Sequence, residues 1–276
     1  MDIFRDNPVL EREIRGRLRL KRKGGRQVNL WIVRLLGLVI VYFYARGLLS
    51  VGYGTPRDAQ DFWPLLAFGA LGLCVLLAPA LSATAITQER EQQTWETLAT
   101  TRLSAAEVLL GKWLGRQIIL WMLLIILLPL MVVCAYRAQF GWLMLPSVLG
   151  FLLLTTAGYS ALGLLCSFQA KRTMTATASA LTGTALLCIG TVVVAQVLNT
   201  LLLPGTQGNG QWPVLWINPF YALNSLMEQL SPNTLRSGPG DDPAASLWYL
   251  LSSAAATAAA LLFMVRRYHR SVRERN

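Results

Sequence analysis

The sequence predicts an all-α polytopic membrane protein, and three observations lead to that prediction. Hydrophobic residues make up 54% of the 276-residue chain and charged residues only 14%, below the roughly 25% of a soluble domain. Six apolar runs are each long enough, at about 20 residues, to cross the hydrocarbon core of a bilayer as a helix. These runs leave too little polar sequence for a separate soluble domain. We therefore expect a single transmembrane domain over residues 1–276.

The apolar runs define six spans, preceded by a basic amphipathic helix over residues 1–29. In that helix Asn7 is the N-cap candidate and Pro8 occupies the first helical position. The predicted spans are residues 30–49, 63–86, 113–136, 142–168, 174–203 and 245–265. The fifth is longer than one perpendicular crossing needs, so we expect it to be tilted or broken. Residues 204–243 form the long external segment, with a short helix predicted from Pro219.

The distribution of lysine and arginine predicts the orientation. With the N-terminus inside, twenty of the 25 lysine and arginine residues fall in inner segments and four in outer segments. Since positive charge concentrates on the cytoplasmic side, we expect a multi-pass protein of the cytoplasmic (inner) membrane with both termini in the cytoplasm. This distribution accounts for the net charge of +11 without nucleic acid. It favours contact between residues 1–29 and anionic lipids, with a nucleic-acid-binding arm as the alternative.

A polar segment between the second and third spans, residues 88–104, organises the chain. On a helix its apolar residues would share one flank: Trp95, Leu98, Ala99 and Leu103. Polar residues spaced at i, i+4 and i+7 would stack on another flank: Glu89, Gln93 and Glu96. Such an amphipathic helix fits a connector lying on the membrane surface, and it fits equally a contact for a soluble partner.

Sequence motifs for an energy source or for catalysis are missing. Gly111-Lys112 lacks the upstream glycine of a phosphate-binding loop and is followed by Trp113. Neither G-x-S-x-G nor H-E-x-x-H occurs, each of the four cysteines lies alone in an apolar run, and His269 is the single histidine. We therefore expect neither a metal site nor enzymatic activity on this chain. An intramembrane hydrolase would need paired catalytic groups at membrane depth, which His269 cannot supply.

The polar residues inside the predicted spans are the candidates for a substrate path. No acidic residue lies in the middle of a span, which argues against a proton or sodium relay. The candidates are Thr182, Gln196 and Asn199. For Gln196 and Asn199 the alternative role is hydrogen bonding between helices. A six-span protein without an energy source suits a passive role or a transport subunit that another chain drives.

The polar segment also contains a recognisable run of residues. It reads Ile86-Thr-Gln-Glu-Arg-Glu-Gln-Gln-Thr-Trp-Glu-Thr-Leu-Ala-Thr-Thr-Arg-Leu-Ser104, followed by Glu107-Val-Leu-Leu-Gly-Lys112. This run resembles the signature loop of type-2 ABC transporter permeases, and Asn7-Pro-Val-Leu-Glu-Arg-Glu13 resembles the segment before their first span. The six-span topology with an enlarged external segment is similar too. Two positions depart from the family pattern: Gln93 stands where such loops often have glycine, and Arg102 where many have proline.

The resemblance implies the partners and the contact residues. It implies a second permease copy, in a homodimer or related heterodimer, and a cytoplasmic ABC ATPase that binds ATP and magnesium, with no cofactor on this chain. Residues 88–104 would be the coupling helix, with these contact residues: Glu89, Arg90, Glu91, Thr94, Trp95, Glu96 and Leu98. The N-terminal helix would supply a second contact: Asn7, Pro8, Glu11 and Glu13.

The function that this resemblance implies is that of the transmembrane permease subunit of an ATP-driven ABC exporter. A separate ATPase subunit would drive substrate across the cytoplasmic membrane, along the seam between two permease copies. The alternative is a membrane scaffold or assembly factor that recruits a cytoplasmic protein without transport. The two differ in whether the partner carries a phosphate-binding loop and responds to this chain with a changed ATPase rate.

Overall fold

The structure, a computed structural model, describes residues 45–47, 49, 52–93, 105–202, 212–230 and 243–273. All regular elements in these ranges are helical, without a strand. Five helices in the described part of the chain are long and apolar enough to cross a membrane. The chain is therefore an integral membrane protein, and its described part is all-helical. The predicted N-terminal helix and nearly all of the predicted first span lie outside the described residues.

The second predicted span corresponds to α1, Pro56–Ala83, which begins before residue 63 because its first turn is capped. The Thr55 hydroxyl accepts a hydrogen bond from the Asp58 backbone N–H at 3.3 Å, and the Asp58 carboxylate accepts one from the Thr55 N–H at 2.7 Å. Pro56 occupies the first helical position, where its missing N–H is not needed. This capping box outweighs the polarity of residues 57–61.

The next two spans form a helical hairpin. After the short helix α2, Thr87–Glu91, the first of them, α3, covers Ala105–Arg137 and so begins earlier than the predicted residue 113. Three polar side chains near the start of this helix are buried: Lys112, Arg116 and Gln117. After a short connection with Gln139 at a φ of 56°, α4 covers Met144–Gln169. This helix is the centre of the bundle, because it packs against α1, α3 and the later helices of the chain.

The fifth predicted span is continuous but not regular. It consists of α5, Thr173–Ala185, a π-helical turn, Leu186–Gly190, and α6, Thr191–Leu202. The fifth span is therefore not broken. At the π-helical turn the helix widens in the middle of the span and then continues. Such turns insert one extra residue and often mark a functional position.

Beyond the fifth span the described chain forms a compact cap at the end of the bundle. A 3₁₀ turn, Pro213–Ile217, leads into α7, Pro219–Leu230, so the helix predicted from Pro219 is confirmed. The last span, α8, covers Pro243–Arg273. Both α5–α6 and α8 bury little of their surface inside the chain, whereas α4 buries more than half of its most apolar stretch.

Asn218 joins this cap to the π-helical turn. Its side-chain amide donates hydrogen bonds to the Cys188 carbonyl at 2.7 Å and to the Thr191 hydroxyl at 2.9 Å. Its side-chain oxygen accepts from the N–H of Phe220 at 2.9 Å and so caps α7. One buried amide therefore satisfies the widened turn and the start of the next helix together.

Candidate functional site

The candidate site lies where the second span meets the segment that follows it. The short helix α2, Thr87–Glu91, comes directly after the turn that ends α1. It contacts residues from three other span ends: Lys112, Ser167, Ala170 and Thr173. We refer to α2 with these four residues as the polar junction.

The start of α2 is held by a side chain from α4. The Ser167 hydroxyl accepts hydrogen bonds from the backbone N–H groups of Ile86 at 3.0 Å and Thr87 at 3.2 Å. The N–H groups of a first helical turn have no partner within their own helix. Because Ser167 and Thr87 are both fully buried, α4 supplies the cap that the local sequence lacks.

A buried ion pair ties α2 to α3. The Lys112 ammonium lies 2.5 Å from the Glu89 carboxylate and 3.4 Å from the Ala85 carbonyl. The Lys112 side chain is 1% exposed and that of Glu89 21%. Removal of one partner would leave the other as an uncompensated charge in a low-dielectric position, which is strongly destabilising. The pair therefore holds the first turns of α3 against the end of α1.

The last two residues of α2 reach toward the fifth span. Arg90 donates a hydrogen bond to the Ala170 carbonyl at 2.9 Å, and its guanidinium lies 5.8 Å from the centre of the Phe168 ring. Burial, and then the positive charge of Arg267, lower the pKa of Arg90.

Glu91 caps the fifth span. Its carboxylate accepts hydrogen bonds from the Thr173 backbone N–H at 2.8 Å and from the Thr173 hydroxyl at 3.0 Å. The N-cap residue of α5 itself, Arg172, makes no side-chain capping bond. A carboxylate at a helix N-terminus is also favoured by the helix dipole. The α2 helix is therefore attached to α3, α4 and α5.

A comparison with protein-family models identifies the family of the chain that contains this junction. The model of the ABC-2 family transporter proteins matches residues 50–263, which include the polar junction, four of the described spans and most of the last one. The chain belongs to this family. It is an ABC transporter permease, and permeases of this family generally work with a cytoplasmic ABC ATPase. A search of curated proteins finds no match.

The permease uses the first acidic residues of the predicted coupling helix within its own fold. Glu89 pairs with Lys112 and Glu91 with Thr173, while Arg90 binds the end of α4. The other predicted contact residues lie outside the described part of the chain: Thr94, Trp95, Glu96, Leu98, Asn7, Pro8, Glu11 and Glu13. Their contacts with a partner stay predictions.

The predicted stacking of Glu89 and Gln93 on one helix face is wrong. The α2 helix ends at Glu91, and Gln93 follows with a φ of 55°. A residue in this left-handed conformation ends a helix, and its N–H bonds back to the Arg90 carbonyl at 3.1 Å. Gln93 stands where similar loops often have glycine, which adopts this conformation without a steric penalty. The departure in sequence thus retains the turn and places a side chain on it.

The three candidates for a substrate path do not converge on one site. Thr182 on α5 and Gln196 on α6 are both exposed. Asn199 accepts a hydrogen bond from the indole of Trp212, which lies just before the 3₁₀ turn and not on another span. These residues stay predictions as part of a path.

The permease contains a cavity of about 340 Å³ that the sequence analysis missed. It lies between α4, α8 and the π-helical turn. Residues that line it include Gly158, Tyr159, Leu187, Ile217, Tyr249 and Ser252. The Tyr249 hydroxyl donates to the Thr155 hydroxyl at 3.3 Å, and the Tyr159 hydroxyl lies 3.6 Å from the Cys188 sulfur. Two tyrosines in apolar spans were the signal that could have indicated it. Within the described residues, no group of three His, Cys, Asp or Glu side chains could hold a metal ion.

Proposed function

We propose that this permease is the transmembrane subunit of an ATP-driven ABC exporter of the cytoplasmic membrane. In this proposal the polar junction receives the movement of a separate ATPase subunit and passes it to the spans. The observation that supports it is the attachment of α2, through Ser167, Lys112 and Thr173, to three spans at once.

The chemistry of the attachment suits the transfer of movement. A connector that only lay on the membrane would need no bonds to spans that are distant in sequence. The Glu91–Thr173 hydrogen bond joins residues 82 positions apart, and the Ile86–Ser167 bond joins residues 81 positions apart. A displacement of α2 would therefore move the ends of α3, α4 and α5 together, because each of them is bonded to α2 or to the turn before it.

The internal contacts refine which surface the ATPase would bind. Glu89 and Arg90 face their own chain, so they would shape the junction from within. Gln88, Glu91 and Gln92 are exposed and would meet the ATPase together with residues 94–98. The N-terminal residues Asn7, Pro8, Glu11 and Glu13 would add the second contact. ATP and magnesium would bind on the ATPase.

The proposed assembly contains two permease copies and places both termini in the cytoplasm. The low burial of α5–α6 and α8 supports a contact between copies or with lipid along these spans. The excess of lysine and arginine at the end of the bundle that carries α2 supports the orientation. The direction of transport in this proposal is export.

The test is to extract the tagged permease gently from its host and to identify the proteins that co-purify in stoichiometric amounts. We expect a soluble protein with a phosphate-binding loop whose ATPase rate changes when the permease is present. The variant Glu96→Arg should lower the yield of that protein several-fold. A matched control, Gln139→Arg at the opposite end of the bundle, should leave it unchanged. A partner without a phosphate-binding loop would instead favour the scaffold function.

A further inference from the structure

Arg116 is a buried cation without a counter-ion among the described residues. Its side chain is 5% exposed, and its Nε–H has no hydrogen-bond partner. Within the described residues, no carboxylate forms an ion pair with it. Lys112, one turn earlier on α3, is equally buried but has Glu89 as its partner. Lys112 therefore has an internal carboxylate as its partner, whereas Arg116 has none among the described residues. Since an uncompensated buried charge is strongly unfavourable, we expect an anion from outside the described chain to pair with Arg116.

The position of Arg116 along α3 indicates where that anion comes from. The hydrocarbon core is crossed by about 20 helical residues. Counted from Tyr136 at the far end of α3, that length ends near Gln117. Arg116 therefore lies at the depth of the lipid headgroups, on the side of the polar junction. Along the same helix face Leu120 is part of the apolar core, whereas Lys112 belongs to the polar junction. The guanidinium thus lies where the polar and apolar layers meet.

The surrounding charges favour an anionic ligand. The described side chains at this end of the bundle include seven cations and three carboxylates. The cations are Arg90, Lys112, Arg116, Lys171, Arg172, Arg266 and Arg267, and the carboxylates are Glu89, Glu91 and Glu107. An excess of positive charge at this depth attracts anionic lipids of the cytoplasmic leaflet. The planar guanidinium is also suited to bind two oxygens of one phosphate group.

We propose that Arg116 binds the phosphate of an anionic lipid headgroup at the boundary of the membrane beside the polar junction. The lipid supplies the counter-charge that Glu89 supplies to Lys112. Its acyl chains continue along the apolar surface of the bundle, which a soluble phosphate ion cannot do. Because Arg116 and Lys112 lie on the same face of α3, binding of the lipid stabilises the junction end of that helix. The proposal does not depend on the presence of an ATPase.

The experiment measures the thermal unfolding midpoint of the purified full-length permease in phosphatidylcholine nanodiscs, with and without phosphatidylglycerol. We expect phosphatidylglycerol to raise the midpoint of the wild-type protein. Arg116→Met should unfold at a higher temperature than wild type in phosphatidylcholine alone, because an apolar side chain of similar size replaces an unpaired charge. The same variant should lose the increase from phosphatidylglycerol, with binding at least about tenfold weaker. Arg116→Gln is a second neutral variant and should lose the increase as well.

The matched control is Arg172→Gln, which removes the same charge at an exposed position of the same end of the bundle. It should keep the wild-type increase, and Arg116→Lys should keep part of it. Three results would overturn the proposal. An equal increase in Arg116→Met would show that the lipid acts elsewhere. A lower midpoint of that variant in phosphatidylcholine would show that a group of the protein already pairs with Arg116. An equal increase of the wild-type midpoint with inorganic phosphate would identify a soluble anion instead.

Discussion

Gly163 brings the backbone of α4 into direct contact with the backbone of α1 at Pro79. A Cβ atom at position 163 would lie 2.5 Å from the Pro79 carbonyl oxygen and 2.8 Å from its Cα. No side chain fits there, so only glycine allows the two spans to approach this closely. Because α1 leads directly into α2, this contact sets the distance between α4 and the end of α1 from which α2 begins.

We expect Gly163→Ala to destabilise the permease by about 1–3 kcal/mol, because the added methyl group must push α1 and α4 apart. Gly150→Ala in the same helix is the control, since nothing lies within 4 Å of a Cβ there. That change should be neutral or slightly stabilising, because alanine favours helix. Thermal unfolding of both variants in one detergent measures the difference. Equal midpoints would mean that the contact has no energetic importance.

The Glu89–Lys112 ion pair should show strong coupling in a double-mutant cycle. Glu89→Gln and Lys112→Met each leave the other charge buried, so each should destabilise the protein by up to about 3 kcal/mol. Their combination should destabilise it by less than the sum of the two, since no buried charge remains. The free energies of unfolding of the four proteins give the coupling. Lys171→Met, which removes an exposed lysine near the same end, is the control and should have little effect.

Removal of the Glu91 carboxylate should loosen the first turn of the fifth span. Glu91→Ala leaves the Thr173 N–H without its capping partner, at a cost of about 1 kcal/mol. Hydrogen exchange of the amides in residues 173–176 should become faster. Gln92→Ala changes the next exposed side chain and should leave these amides as protected as in wild type. Unchanged protection in Glu91→Ala would argue against the cap.

Gln92 and Gln93 should respond to glycine in opposite ways. Gln93 has a φ of 55°, so Gln93→Gly relieves strain and should be neutral or stabilising by up to about 1 kcal/mol. Gln92 has a φ of −84°, so Gln92→Gly gains nothing and only adds freedom to the unfolded chain. Gln93→Val should be destabilising, because a β-branched residue tolerates this conformation poorly. The unfolding midpoints of the three variants provide the test.

Asn218→Ala should release the cap from the π-helical turn. The substitution removes the bonds to Cys188 and Thr191 and the N-cap of α7, so it should cost about 1–3 kcal/mol. In a variant that keeps only Cys188, a membrane-permeant maleimide should react faster with its thiol. Asn224→Ala is the control, because Asn224 bonds to Glu228 within α7 itself. Equal labelling rates in the two variants would contradict the role of Asn218.

Properties that depend on local sequence could be predicted. The membrane class follows from apolar runs, and the described spans and the family membership confirm it. The helix at Pro219 was predicted because proline favours the first helical turn. Helix limits were less accurate: the start of α1 depends on the Thr55–Asp58 capping box, which the apolar pattern does not reveal.

The contacts of the candidate site were not predicted, and the role of its residues toward a partner stays a prediction. The acidic residues before residue 93 drew attention as a surface for a partner, yet Glu89 and Glu91 bind Lys112 and Thr173. Neither pairing could be read from the sequence, because the partners lie on other spans. The burial of Arg116 could not be read from the sequence either, because it depends on how α3 packs against other helices.

Hydropathy and the run of residues after Ile86 were enough to predict the kind of protein, and charge distribution added a prediction of its orientation. These features reflect whether each segment prefers lipid or water, so they can be read from the sequence one segment at a time. Tertiary structure alone decided that Ser167 caps α2, that Gly163 accepts Pro79, and that Arg116 is buried without an anion. Each of these depends on the approach of helices distant in sequence, where distance and burial determine whether a polar group has a partner.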